Sequence, residues 1–186
     1  MLDKQNLAEF DNSWYNPGAG FLKRTCWYFI NSVFFNSSFP FNQIKIFLFK
    51  CFGGKAGKGV VFKPNINIKY PWKLIIGNHV WIGEQVWIDN LDEIKIENNV
   101  CISQGAMLLC GNHDFKKPGF DLMTGKIILK KGCWIGAKSI VGPNVTVNEF
   151  AILQVGSVTT KDLDKNGIYR GNPAVKIADR FLKSVS

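Results

Sequence analysis

The sequence predicts a mainly β protein built as a parallel β-helix, and three observations carry that prediction. Aliphatic residues recur every six positions, a small or β-branched residue recurs at the fifth place of each six, and Gly or Asn recurs where a chain would turn. Ile76, Ile82, Ile88 and Ile94 set the beat, which slips by two and resumes at Ile96, Ile102 and Leu108. It returns at Leu129, Ile135, Val141, Val147 and Leu153, and upstream it runs through Phe62, Ile68 and Leu74. A period of six is neither helical nor a plain strand alternation. It suits a short strand and a sharp turn repeated three times per coil, each coil pairing its backbone with the coils on either side. Val80, Val86, Val100, Ala106, Cys133, Ser139, Val145, Ala151 and Ser157 hold the fifth places, which a crowded corner would demand. Gly and Asn beside them supply turn conformations that cost other residues more. The slips of two are expected to be absorbed at corners.

Before the repeats, "CWYFINSVFF" (26–35) and "IKIFLFKCF" (44–52) read as short amphipathic helices that cap the solenoid. Neither approaches the roughly 18 unbroken apolar residues of a spanning helix. The expected organisation is a helical capping segment over 1–58, a β-helix over 59–172 and a C-terminal tail over 173–186 that begins a short helix beyond Pro173.

Bulk properties fit one soluble domain of 186 residues, 46% hydrophobic and 20% charged, which excludes a disordered chain. Five cysteines, an odd number without a C-x-x-C pair, indicate free thiols in a reducing compartment, and so the cytoplasm. The net charge of +9 is concentrated: between Asn12 and Gly83 lie nine Lys or Arg residues and no Asp or Glu. Such a run can face an anionic membrane, a polyanionic substrate or nucleic acid, or be a solvated basic face.

The beat breaks once. After Leu108 a further slip would bring the next aliphatic at 116, yet it comes at Leu129. About 13 residues are therefore extruded, roughly 114–128, and a loop of that length in an economical solenoid points to function. His113, in "CGNHDFKKPGF", stands at its base. A neutral imidazole there suits proton abstraction from an alcohol or amine; a loop histidine pinned by hydrogen bonds is the alternative. His79, in "IGNHVW", reads as a turn residue. Cys110 reads as a coil residue and not a nucleophile.

These features resemble the hexapeptide-repeat acyltransferases, and within them the colanic-acid-biosynthesis type acetyltransferases. The resemblance is carried by "FFNSSFPF" (34–41), "LFKCFGGKAGKGVVFKPNINIKYPWKLIIG" (48–77), "NVCISQGAMLLCGNHDF" (99–115), "WIGAKSIVGPNVTV" (134–147) and "GSVTTKD…GIYRGNPAVKI" (156–177). It implies a left-handed coil, a homotrimer, and acetyl-CoA as acyl donor with no metal required. It further implies His113 as general base toward a sugar hydroxyl of a surface polysaccharide or its precursor, by direct transfer. Asp114 or Asp121 would orient the imidazole, and Asn90 of "WIDN" would bind the sugar. By the same motifs Gly136, Ala137, Gly156 and Ser157 would line the pantetheine arm, with Thr160, Lys161 and Lys176 toward the nucleotide. The tail departs from the family pattern: Val175 stands where a basic residue usually follows the Ala, and the charge comes at Lys176.

Transfer to an amino-sugar nitrogen is the second reading, and a non-catalytic interaction solenoid the third. The γ-type carbonic anhydrases share the fold, but two histidines cannot supply their zinc triad. No nucleic-acid partner is implied. The basic N-terminal segment is compatible with peripheral contact at the inner face of the membrane.

Overall fold

A computed structural model describes residues 5–181. Three parallel sheets wind around one hydrophobic core. Face A stacks Lys55–Ala56, Leu74–Ile76, Ile94–Ile96, Ile127–Leu129 and Thr146–Val147. Face B stacks Val61–Phe62, Trp81–Ile82, Cys101–Ile102, Trp134–Ile135, Ile152–Leu153 and Gly167–Gly171. Face C stacks Asn67–Ile68, Trp87–Asp89, Met107–Leu109, Ile140–Val141 and Val158–Thr159. The chain visits B, C and A in turn, so equivalent beats pair across coils: Ile82 with Ile102, Ile88 with Leu108, Ile76 with Ile96.

Every beat residue from Phe62 to Leu153 is buried, and so is every small fifth-place residue from Val80 to Ser157. Positive φ falls at the corners, where Asn65, Asn99 and Asn144 take left-handed backbone at about 60°. His79 is one of these corner residues, with φ 55° and an exposed side chain. The slips of two are not absorbed at corners alone. They lengthen the strands of face A, where Leu74 and Ile76, Ile94 and Ile96, and Ile127 and Leu129 all point inward. A period-2 strand with both ends on the core face accommodates the added pair without breaking the stack.

The first coil has no preceding coil to satisfy its backbone, and the helical segment does that work. It comprises α1 (Phe21–Ile30), a π-helical turn Asn31–Phe35 and α2 (Asn42–Cys51). Asn42 donates to Val60 O and accepts from Phe62 N; Asn31 accepts from Ile68 N; the Trp27 indole donates to Ile68 O. Polar side chains thereby replace a missing ladder at an otherwise open sheet edge. Phe35 and Phe49 seal the end against Phe62 with edge ring contacts, and Trp27 packs on Phe35 with a tilted one.

The far end corrects one expectation. Beyond Pro173 the chain forms no helix over 174–179; Ala174–Asp179 is a strand, antiparallel to Gly167–Gly171. Helix-forming residues are overridden here because the last coil leaves its outer backbone groups free and the returning chain pairs with them. The remainder of the expected helix, 182–186, lies outside the described residues.

Candidate active site

The corner between faces C and A is the irregular one. Its successive turns are 69–73, 90–93 and 110–126, and the last carries the excursion. The excursion is a β-hairpin: Gly111–His113 pairs antiparallel with Leu122–Thr124. It starts before Asp114, and Ile127 and Ile128, expected at its end, already belong to face A. His113 thus sits on a strand, opposite Leu122, and not on a free loop.

Two contacts fix the imidazole. Nδ1 lies 2.8 Å from Phe120 O, and the ring stacks on the Phe120 ring at 4.4 Å with a 9° interplanar angle. A carbonyl oxygen only accepts, so Nδ1 carries the proton and Nε2 is left as the basic nitrogen. Phe120 holds its carbonyl there by adopting φ 54° at the hairpin tip. Neither expected carboxylate orients the ring. Asp114 caps the tip by accepting from Lys116 N, while Asp121 accepts from Asp11 N and pairs with Lys117 at 3.3 Å.

His113 opens onto a cleft of about 770 Å³ whose walls come from the hairpin, the turns below it and the N-terminal arm. The arm crosses the corner through Tyr15, whose hydroxyl donates to Leu91 O at 2.8 Å, and Phe10, whose ring lies 6.0 Å from that of His113. Lys73 fastens it: Nζ donates to Leu91 O and Asn16 O and lies over the Tyr15 ring. Burial pushes the Lys73 ammonium below the ordinary lysine range and the Tyr15 phenol well above its own.

Asp89 faces this cleft. Because Ile88 points inward, strand alternation turns Trp87 and Asp89 outward. Lys69 Nζ lies 2.9 Å from Asp89 Oδ1, off the hydrogen-bonding direction, so that buried oxygen has no hydrogen-bond donor. Asn90 behaves oppositely. It is fully buried, and its amide is spent on the Tyr70 backbone, accepting from N and donating to O. The sugar-binding role expected of Asn90 does not fit that placement. Cys110 is buried beside the site with its thiol pushed up to about 12, which leaves it protonated and no nucleophile.

The residues expected to hold the acyl donor lie elsewhere. Gly136, Ala137 and Gly156 share the corner between faces B and C, where Gly156 N donates to Ala137 O. Gly136 is packed so closely that a Cβ would meet the Gln154–Val155 backbone within 2.7 Å, whereas Gly156, at φ 66°, opens onto free space. Ser157 is buried with its hydroxyl accepting from Gly171 N. Thr160 and Lys161 are exposed on the C–A corner, two coils beyond His113. Lys176 is tied to Asp179 at 2.7 Å, and that hydrogen bond raises its pKa. Phe10, Tyr15, Arg24, Lys69 and Asp89 line the cleft without having been expected there. Of these, Lys69 and Asp89 carry a sequence signal, each following an inward beat, Ile68 and Ile88.

No family model matches the chain. WcaF of Escherichia coli (strain K12), named for acetyl transfer in colanic acid biosynthesis, is 34% identical over 177 residues, 95% of this chain and 97% of that one. Galactoside O-acetyltransferase of Lactococcus lactis subsp. lactis (strain IL1403) is 27% identical over 139 residues, 72% of this chain and 59% of that one. Among solved structures, AntD, an N-acyltransferase from Bacillus cereus in complex with dTDP and 3-hydroxybutyryl-CoA, superposes with a TM-score of 0.63 at 26% identity. That match covers 78% of this chain and 91% of AntD. A six-residue solenoid with a histidine-bearing hairpin defines a hexapeptide-repeat protein, and with the identity to WcaF the chain belongs to the hexapeptide-repeat acetyltransferases, in the colanic-acid-biosynthesis branch.

Proposed function

We propose that the protein is an acetyl-CoA-dependent O-acetyltransferase acting on a sugar hydroxyl in the building of a bacterial surface polysaccharide. The observation that carries the reading is His113, held by Phe120 O in the tautomer that leaves Nε2 free beside a cleft. Nε2 takes the acceptor proton as the hydroxyl oxygen attacks the thioester carbonyl. The tetrahedral intermediate then expels the CoA thiolate, which recovers the proton from the imidazolium. Asp89 supports the reading as a carboxylate on the cleft wall, held by Lys69 at 2.9 Å, that can accept a hydrogen bond from an acceptor hydroxyl.

The donor residues and the base also support a multimer. Ala137 and Gly156 lie on the B–C corner and His113 on the C–A corner, so a thioester lying along the first reaches the base only from a neighbouring copy. Three copies around a threefold axis close such head-to-tail contacts. The division into a capping segment over 1–58, a catalytic β-helix over 59–172 and a tail over 173–186 belongs to the same proposal.

AntD favours a second reading, N-acyl transfer to an amino sugar, since it matches over most of this chain. The test is incubation with acetyl-CoA and a panel of sugars and amino sugars, following CoA release and product mass. Mild alkali then separates the readings: an ester loses its acetyl group and an amide keeps it. An absence of CoA binding and CoA release across the panel would leave a non-catalytic solenoid.

A further inference from the structure

The chain before α1 does more than wall the cleft. Residues 5–14 are exposed along their whole length, yet their course is fixed. Leu7–Glu9 forms a single tight turn, capped by Asn6 Oδ1 accepting from Ala8 N, and this end of the arm lies on the tip of the His113 hairpin. Asn6 N donates to Pro118 O at 2.9 Å, and Asp11 N donates to Asp121 Oδ1 at 3.1 Å. Between these bonds the backbone of Glu9 crosses Gly119, where a Cβ would meet Glu9 O at 2.6 Å. Gly119 is buried although Phe115, Lys116, Lys117 and Pro118 beside it are exposed, so the arm is what covers it.

The two ends of the arm are held unequally. At the root the Tyr15 hydroxyl donates to Leu91 O, Lys73 Nζ to Asn16 O and the Trp72 indole to Pro17 O. At the outer end two backbone donors and one close approach do the holding, on an exposed tip. The charges there are already matched: Asp121 pairs with Lys117, Glu9 accepts from Asn6 Nδ2 and Asp11 from Ser13 N. A segment rooted firmly and clasped lightly opens at the clasp, for the loss of a few exposed hydrogen bonds, while the solenoid stays folded.

We infer that residues 6–14 form a strap closed over the acceptor end of the cleft, with Asp121 and Gly119 as its clasp on the hairpin that carries the base. The inference rests on the acetyltransferase reading and adds two positioning residues to it. Phe10 and Asn12 stand on the cleft wall only while the strap lies across the hairpin. The imidazole does not depend on the strap. Phe120 O is fixed by the pairing of His113 with Leu122 and by Asp114 N donating to Asp121 O, both within the hairpin. Opening the strap therefore removes part of the acceptor wall and leaves the tautomer of His113 as it is. Asp121 and Gly119 touch no reacting atom and act through the arm.

The test combines amide hydrogen exchange with steady-state CoA release, on the full chain and on Asp121→Ala, Asp121→Asn and Gly119→Ala. Asp121→Ala removes the acceptor of the Asp11 N–H, Asp121→Asn keeps one, and Gly119→Ala drives a methyl group against Glu9 O. In the wild type the amides of Asn6 and Asp11 are expected to exchange about tenfold more slowly than in the urea-unfolded chain. The two alanine variants should each erase that protection and raise KM for the best acceptor of the sugar panel about tenfold. KM for acetyl-CoA and the pH profile of kcat should not move, and Asp121→Asn should restore both the protection and the acceptor KM. Unprotected amides in the wild type would overturn the strap, as would an asparagine variant no better than the alanine one. A shifted pH profile would overturn it in favour of a direct effect on His113. CoA release with an acceptor KM that the alanine variants leave unchanged removes this inference only. No CoA release by any of the four proteins, with any sugar of the panel, removes the acetyltransferase reading and this inference with it.

Discussion

The imidazole of His113 is held by a backbone carbonyl: its Nδ1 lies 2.8 Å from Phe120 O, with the two rings stacked almost parallel. The hairpin tip, and no acidic side chain, therefore sets the tautomer. Phe120→Gly retains the carbonyl and tolerates φ 54°, but removes the stacked ring. We expect kcat to fall about tenfold through a loosened base, with KM for acetyl-CoA unchanged. Asp114→Asn and Asp121→Asn, by contrast, should leave the pH profile of kcat where it is. Steady-state CoA release across pH checks both.

Asp89 and Asn90 are neighbours with opposite duties. Asn90→Ala strips two hydrogen bonds from the Tyr70 backbone and should cost about 1–3 kcal/mol of stability in urea unfolding. The surviving folded enzyme keeps its acceptor KM. Asp89→Asn should do the reverse, lowering kcat/KM for the acceptor about 10- to 100-fold with a small change in unfolding midpoint.

The capping of the first coil predicts where the fold is fragile. Asn42→Ala leaves Val60 O and Phe62 N without partners at the buried edge, at about 1–3 kcal/mol for each group. Thermal unfolding should show the loss, while Glu84→Ala on an exposed corner without positive φ should change little.

The thiols give a pH prediction with a definite sign. Burial holds Cys110 and Cys133 protonated up to about 12, against 9.0 for an ordinary thiol. Above pH 9 the unfolded chain releases protons that the folded chain keeps, so stability is full below 9 and declines as pH rises toward 12. In native protein near pH 8, Cys26 and Cys51, which are exposed, should react with a thiol reagent while Cys110 and Cys133 resist. Denaturant should release the resistant pair.

The solenoid was legible because its determinant is periodic: Ile82, Ile88 and Leu108 must each face one core, and a spacing of six says so directly. The hairpin was legible as an interruption, with His113 at its edge. What the spacing could not supply is everything placed by non-periodic chain. Phe10, Tyr15 and Arg24 reach the cleft on an arm and a helix whose course depends on contacts such as Trp72 with Pro17 O. The motif points to Asn90, yet the inward beat at Ile88 implies that Asp89 faces out. Local preference favours helix in the tail, and pairing with Gly167–Gly171 outweighs it.

The most direct measurement is CoA release by His113→Ala with acetyl-CoA and an acceptor that the wild type uses, alongside thermal unfolding of both. A base acting through Nε2 predicts kcat lower by about 10²- to 10⁴-fold with the unfolding midpoint and acetyl-CoA affinity retained. Turnover within a few-fold of wild type would contradict the assignment of His113 as the base.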